Sequence, residues 1–183
     1  MPHIPSIEDL LERNAHYAQT HKPLLSMGEI SQLPPEQEIP MPQIFIVSCC
    51  DPRIDAWEIF GLQKWDAVVT RSAAGRVLPQ MQNLIFLDHL LHFTDVVILH
   101  HTDCTAEHLG KEDVQMRLNT LAPGHKEEIE KLNLPSFDNL EKSVRVDLQV
   151  VRSSPLIRPD LCRRTRGFIF DIKTGKVTEV KAE

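Results

Sequence analysis

Ile44-Phe45-Ile46-Val47-Ser48-Cys49-Cys50-Asp51-Pro52-Arg53 is an apolar run that stops at two thiols, a carboxylate, a proline and a guanidinium. A short apolar run, rich in β-branched and aromatic residues and closed by Asp-Pro, reads as a buried strand. Ile44 to Ser48 is therefore expected to be a core strand. Cys49 to Arg53 then lie just past its carboxyl end.

The same reading extends outward. Ala67 to Thr70, Val96 to His100, Val144 to Val151 and Gly167 to Ile172 are expected as further strands. Val177 to Val180 forms a last extension after a turn at Lys173-Thr174-Gly175. Helical patterns fill the intervals at Ala56 to Phe60, Met81 to Phe93, Glu107 to Thr120, Lys126 to Leu132 and Phe137 to Lys142. Strands alternating with helices predict an α/β fold, a mostly parallel central sheet of about five strands flanked by helices.

Upstream of the core, Ser6 is placed to cap a helix over Ile7 to Thr20, with Leu10, Leu11 and Ala15 at helical spacing. Pro34, Pro35, Pro40 and Pro42 then exclude regular helix or central strand. Residues 1–42 are read as an N-terminal helical arm with a Pro-rich linker, and residues 43–183 as the α/β domain that holds the core strands. An amphipathic arm with little core of its own is expected to pack on a second subunit.

Composition narrows the function classes. A chain of 183 residues with 42% hydrophobic residues can bury one sizeable core. Its formal net charge is -6 and it has no long Lys/Arg run, which argues against a nucleic-acid partner. No stretch approaches the ~18 consecutive apolar residues of a membrane span. Met1 to Ser6 lack the basic start and apolar run of an export signal, so a cytoplasmic protein is expected. In a reducing compartment, the four cysteines Cys49, Cys50, Cys104 and Cys162 point to metal binding or catalysis before disulfides.

Two local motifs sit past strand ends: Cys49-Cys50-Asp51-Pro52-Arg53, and His101-Thr102-Asp103-Cys104 after Val96 to His100. In open α/β sheets, sites form beyond the carboxyl ends of strands. If the two strands are neighbours, both motifs open into one crevice. Two thiolates and an imidazole suit zinc, and three protein ligands leave a fourth tetrahedral position free. Asp51 could fill that position in a closed state, or be held by Arg53 in a bidentate pair.

Taken singly, these residues have plainer readings. A cysteine at a strand end is usually a small core residue, a lone histidine is usually surface or core, and Asp51 with Arg53 could be an ordinary loop ion pair. Two motifs at corresponding strand ends with complementary zinc ligands are what favours the metal. Cys50 is expected to point into the core and Cys162 to be a spare thiol. His100 is expected to be a packed or hydrogen-bonded residue beside the ligand. Trp57 and Trp65 are read as packing anchors, and His89, His92 and His108 as helix-face residues.

At these residues the chain resembles the β-class carbonic anhydrases, whose signature is Cys-x-Asp-x-Arg with His-x-x-Cys roughly fifty residues on. The likeness runs from about Ile44 to Val180 and includes Arg71 to Gly75 and the ending Arg166-Gly167-Phe168-Ile169-Phe170-Asp171. The resemblance implies one Zn2+ per chain held by Cys49, His101 and Cys104, with Asp51 and Arg53 as the catalytic pair. It also implies a homodimer or dimer of dimers with exchanged arms. Substrate is expected near Ser72, Ala74, Gly75 and Thr105. Two of these positions depart from the family pattern: the segment Arg71-Ser72-Ala73-Ala74-Gly75 usually reads Arg-Asn-Ala-Gly-Gly, and Thr105 usually is glycine.

The implied reaction is hydration of carbon dioxide to bicarbonate, with zinc lowering the pKa of bound water towards ~7 so that zinc-bound hydroxide attacks the linear carbon. Carbonyl sulfide hydrolase, giving hydrogen sulfide and carbon dioxide on the same site, is an alternative from the same fold. A zinc-binding dimer without catalysis is a second.

Overall fold

The computed structural model describes residues 4–181; Met1 to His3, part of the stretch read for export, and Ala182 and Glu183 lie outside it. The chain divides into two compact units, one ending at Ile39 and one beginning at Pro40.

In the first unit, α1 runs over Ile7–Thr20. The Ser6 hydroxyl accepts from the Asp9 N–H, and the Asp9 carboxylate accepts from the Ser6 N–H, a reciprocal cap that satisfies two otherwise orphaned donors. Ile7, Leu10, Leu11 and Tyr17 are all more than half exposed on this helix. A second short helix, α2, spans Met27–Ile30 and is capped the same way by Ser26 and Glu29.

The second unit is a five-stranded sheet. Its strands are β1 (Ile44–Cys49), β2 (Ala67–Ser72), β3 (Asp95–His101), β4 (Thr165–Phe170) and β5 (Val177–Val180). The spatial order is β2-β1-β3-β4-β5, parallel throughout except for the antiparallel β4–β5 pair. The chain leaves β1 to build β2 on one side and then crosses to build β3 on the other. The carboxyl ends of β1 and β3 therefore flank the point where the connections diverge, and a crevice opens there.

Helices cover the sheet: α3 (Ala56–Phe60), α4 (Met81–Leu91), α5 (Thr105–His108), α6 (Lys111–Leu121), α7 (Lys126–Glu130), α8 (Leu140–Arg152) and α9 (Pro159–Arg163). The main core joins Phe45, Val47, Val96 and Ile98 of the central strands to Leu84 of α4 and Val144, Leu148 and Val151 of α8. Ile46, Ala56 and Ala67 form a smaller cluster. Burial on both faces explains why β1 and β3 read as continuous apolar runs. Among the described residues no helix is long and apolar enough to cross a membrane.

One strand expectation is corrected. Val144 to Val151 is not a strand but the body of α8, which begins at Leu140 with Asn139 Oδ1 accepting from the Lys142 N–H at 2.8 Å. The buried positions Ser143, Val144, Asp147, Leu148 and Val151 follow helical spacing. The β-branched valines imitate strand composition, yet only a helix brings these five onto one face. The single helix expected over Glu107 to Thr120 is instead α5 and α6, interrupted at Leu109-Gly110.

Candidate metal centre

Cys49 is the last residue of β1 and His101 the last of β3. These strands pair directly in parallel, so the two side chains emerge on the same edge of the sheet. Cys104 follows after a turn in which Asp103 adopts a left-handed φ of 56°. The ligand atoms of Cys49, His101 and Cys104 all lie within 4.8 Å of one another. Only 4%, 1% and 3% of these residues is exposed.

The donor set fits zinc. Cys49 Sγ and Cys104 Sγ are 4.0 Å apart, against about 3.8 Å for two thiolates on a tetrahedral zinc with bonds near 2.3 Å. His101 Nδ1 donates to the Thr102 carbonyl at 2.9 Å, so Nε2 carries the lone pair. That Nε2 is buried and has no hydrogen-bond partner, which is costly unless an electrophile meets it. Hydrogen bonding with Cys104, and contacts with His101 and the Asp51 N–H, pull the Cys49 thiol well below its usual value. Cys104 is pushed up, foremost by that same hydrogen bond with Cys49 and also by burial. One proton shared between two close sulfurs is what a dication would displace.

Beside the cluster, the Asp51 carboxylate is gripped by Arg53: Nε reaches Oδ1 at 3.0 Å and Nη2 reaches Oδ2 at 2.6 Å. The Arg53 N–H also donates to Asp51 Oδ1 at 2.9 Å. This grip lowers the Asp51 pKa to about 2. Asp51 Oδ2 stands 3.9 Å from His101 Nε2, at the edge of the cluster.

The surrounding cavity, about 310 Å3, is lined by Cys49, Asp51, Cys104, Ala73, Ala74, Thr105, Ala106, Leu109, Val114, Leu134 and others. Of the residues expected near substrate, Ala74 and Thr105 line this cavity. Ser72 and Gly75 are not among its lining residues: Ser72 Oγ donates to the Arg76 carbonyl at 2.7 Å, within a neighbouring hollow. Gly75 sits behind the site at φ 71°, where a Cβ would come 3.0 Å from the Leu99 carbonyl oxygen and 3.1 Å from His100 Cδ2. Only glycine allows that approach.

Of the remaining thiols, Cys50 differs from expectation. Cys50 is exposed and lines the cavity instead of entering the core. Cys49 takes the inward direction at the strand's end, and the alternation of side chains turns Cys50 outward where the sheet has already stopped. Cys162 is buried in the main core, its thiol donating to the Val151 carbonyl at 3.4 Å. Trp57, expected as a packing anchor, is 41% exposed. His100 is buried and hydrogen-bonded, with Nδ1 2.8 Å from Ser143 Oγ and Nε2 3.0 Å from Asp147 Oδ2.

Two contributors lie within quoted segments, yet the sequence reading gave them no role. Arg71 on β2 donates to the carbonyls of Cys49 (3.0 Å), Asp51 (2.7 Å) and Ile54 (2.7 Å), fixing the loop that bears the first motif. Asp103 accepts from Arg53 through Oδ2 at 2.8 Å and through its carbonyl at 2.9 Å. The available signal was weak: an arginine shortly after a ligand loop, and a carboxylate between two ligands.

Comparison with known proteins places this architecture. The family model described as carbonic anhydrase matches residues 44–177. Beta-carbonic anhydrase 1 of Mycobacterium tuberculosis is 28% identical over 177 residues, 94% of this chain and 96% of the relative. A crystal structure of carbonic anhydrase from Streptococcus mutans superposes with a TM-score of 0.77 at 27% identity, covering 98% of this chain and 100% of that one. A carbon disulfide hydrolase of an Acidianus species is 22% identical over 159 residues, 74% of this chain and 76% of the relative. A family match across most of the chain, centred on a buried Cys-His-Cys cluster, shows that the chain belongs to the carbonic anhydrase family, in its β class.

Proposed function

We propose that residues 43–183 catalyse reversible hydration of carbon dioxide to bicarbonate, with one zinc ion held by Cys49, His101 and Cys104. The observation that carries this reading is the unpartnered, buried His101 Nε2, which faces two thiols beside an ionised Asp51. When bound, zinc supplies acidification of water, so that a nucleophile is available near neutral pH.

The chain's own residues do the rest. Asp51 is charged at every working pH, and its Oδ2 offers an acceptor that orients the O–H of the reacting water. Arg53 gives that carboxylate a bidentate partner, so it has less reason to compete for the metal. The alanines, Leu109, Val114 and Leu134 give a carbon-rich wall that admits a small linear apolar gas and offers bicarbonate no neutralising cation. A sulfur-bearing heterocumulene is a second reading. The same apolar wall would take carbonyl sulfide, which is linear and weakly polar like carbon dioxide, and a carbon disulfide hydrolase is among the relatives.

The exposed apolar side chains Trp57, Phe60, Phe86 and Leu90, and those of α1, support assembly into a homodimer or dimer of dimers. The acidic composition accords with a chain that takes no nucleic-acid partner. The test is gas hydration measured with carbon dioxide and carbonyl sulfide side by side on one preparation, together with metal analysis. Zinc near one per chain with carbon dioxide turnover is expected. Bound zinc with neither activity would leave only the idle metal-supported dimer.

A further inference from the structure

We propose that Asp103 is a positioning residue for the Asp51–Arg53 pair, anchoring Arg53 along the guanidinium edge adjacent to the one that holds Asp51 and so governing how freely Asp51 can approach the metal. The proposal rests on the metal reading given above.

The Arg53 side chain is 47% exposed. An arginine so placed gains little from one carboxylate, because holding a long side chain still costs rotamer entropy in a high dielectric. Its geometry shows a second fixation. Nε and Nη2 serve the Asp51 carboxylate, while Nη1 donates to Asp103 Oδ2 at 2.8 Å and Nη2 to the Asp103 carbonyl at 2.9 Å. The guanidinium is thus clamped on two edges, by the loop after β1 and by the loop after β3.

Asp103 can present both groups because it adopts φ 56°. Few residues besides glycine, asparagine and aspartate take this conformation readily. The turn aims its carbonyl and its carboxylate in the same direction. Oδ1 of the same carboxylate lies 3.2 Å from His108 Nε2, so the carboxylate is itself held from its far side. Without the Asp103 carboxylate, Arg53 would retain Asp51 and one backbone carbonyl. The Asp51–Arg53 pair could then turn as a unit, carrying the Asp51 carboxylate across the short distance to the metal.

The experiment uses the full chain loaded with cobalt(II), titrated with azide at neutral pH and followed by visible absorption. Azide reports whether the fourth coordination position is free. Asp103→Ala is expected to weaken azide binding about tenfold, the scale of one charge-assisted hydrogen bond. Asp103→Asn keeps an oxygen acceptor and should fall between. In the Asp51→Ala background, adding Asp103→Ala should change nothing further, because no carboxylate is left to move. Native azide affinity in Asp103→Ala overturns the proposal. So does a loss that persists without Asp51, since Asp103 would then act only on the ligand loop. Should Asp103→Ala fail to fold, Asp103→Asn with and without Asp51 decides by the same comparison. A wild-type chain that takes up no cobalt overturns the metal reading and the proposal with it.

Discussion

Gly167 on β4 lies flush beneath Val144 of α8, so closely that a methyl group built on the glycine would overlap Val144 Cγ1 and come within 3.1 Å of Leu148 Cδ1. The helix could meet the strand at this distance only over a residue without a side chain. Gly167→Ala should therefore destabilise the fold by about 1–3 kcal/mol through overpacking. Urea unfolding at constant metal content measures it, and an unchanged midpoint would show that α8 can move aside without cost.

Zinc retention should separate the thiols. Cys49→Ser and Cys104→Ser should lose the metal, because a hydroxyl is a poor substitute for a thiolate at a soft site. Cys162→Ser should keep it, since Cys162 packs in the core against Val151 and Ile157. Full occupancy in Cys104→Ser on metal analysis would remove Cys104 from the ligand set.

Arg53→Ala should retain zinc yet lose activity by about a hundredfold, the scale on which a positioned acid–base group contributes. Asp51→Ala should also retain zinc and react slowly. Because Arg53 holds the Asp51 pKa at about 2, Asp51 is already ionised at neutral pH. Any rise of activity from pH 6 to 9 must therefore come from another group, and its midpoint should not track Asp51. An ordinary loop ion pair predicts near-native rates in both variants.

A pH effect on stability is expected far from the metal. Arg166 binds both oxygens of Glu179 across the β4–β5 pair, at 2.8 and 2.7 Å, and lowers the Glu179 pKa below its ordinary 4.5. A depressed carboxyl pKa adds stability that is present above the unfolded value and lost as pH falls through the folded one. Glu179→Gln should thus be slightly less stable than wild type at pH 7, the gap closing below pH 4. Both groups face solvent, so the gap should also shrink at high salt. A gap that widens on acidification contradicts the pairing.

Deleting residues 1–20 should weaken the proposed dimer or dimer of dimers, because α1 offers Ile7, Leu10, Leu11 and Tyr17 to solvent and buries none of its residues. Sedimentation of the truncated chain at several concentrations is the measurement. Assembly identical to wild type would mean that the arm plays no part in it.

Local signals were the legible ones. Ser6 marked the start of α1, the apolar run from Ile44 marked β1, and paired motifs at two strand ends brought the ligands together. What escaped depends on what the chain meets after folding. Val144 to Val151 is rich in β-branched residues, and only burial against β3 and β4 selects helix over strand there. Cys50 follows a buried cysteine, but the sheet ends before it could be covered. Arg71 reaches carbonyls 17 to 22 residues away, and backbone acceptors leave no trace in residue type.

The clamp from Arg71 separates two events that coincide in small zinc-dependent domains, where the metal's binding energy is what folds the chain. Here the loop bearing Cys49 and Asp51 is tied to β2 by three bonds in which no metal takes part, and the core beneath it is apolar. Loading is consequently expected to be a capture by a receptacle already shaped. A chelator should strip the metal while leaving the far-ultraviolet circular dichroism unchanged, and the stripped chain should recharge without refolding.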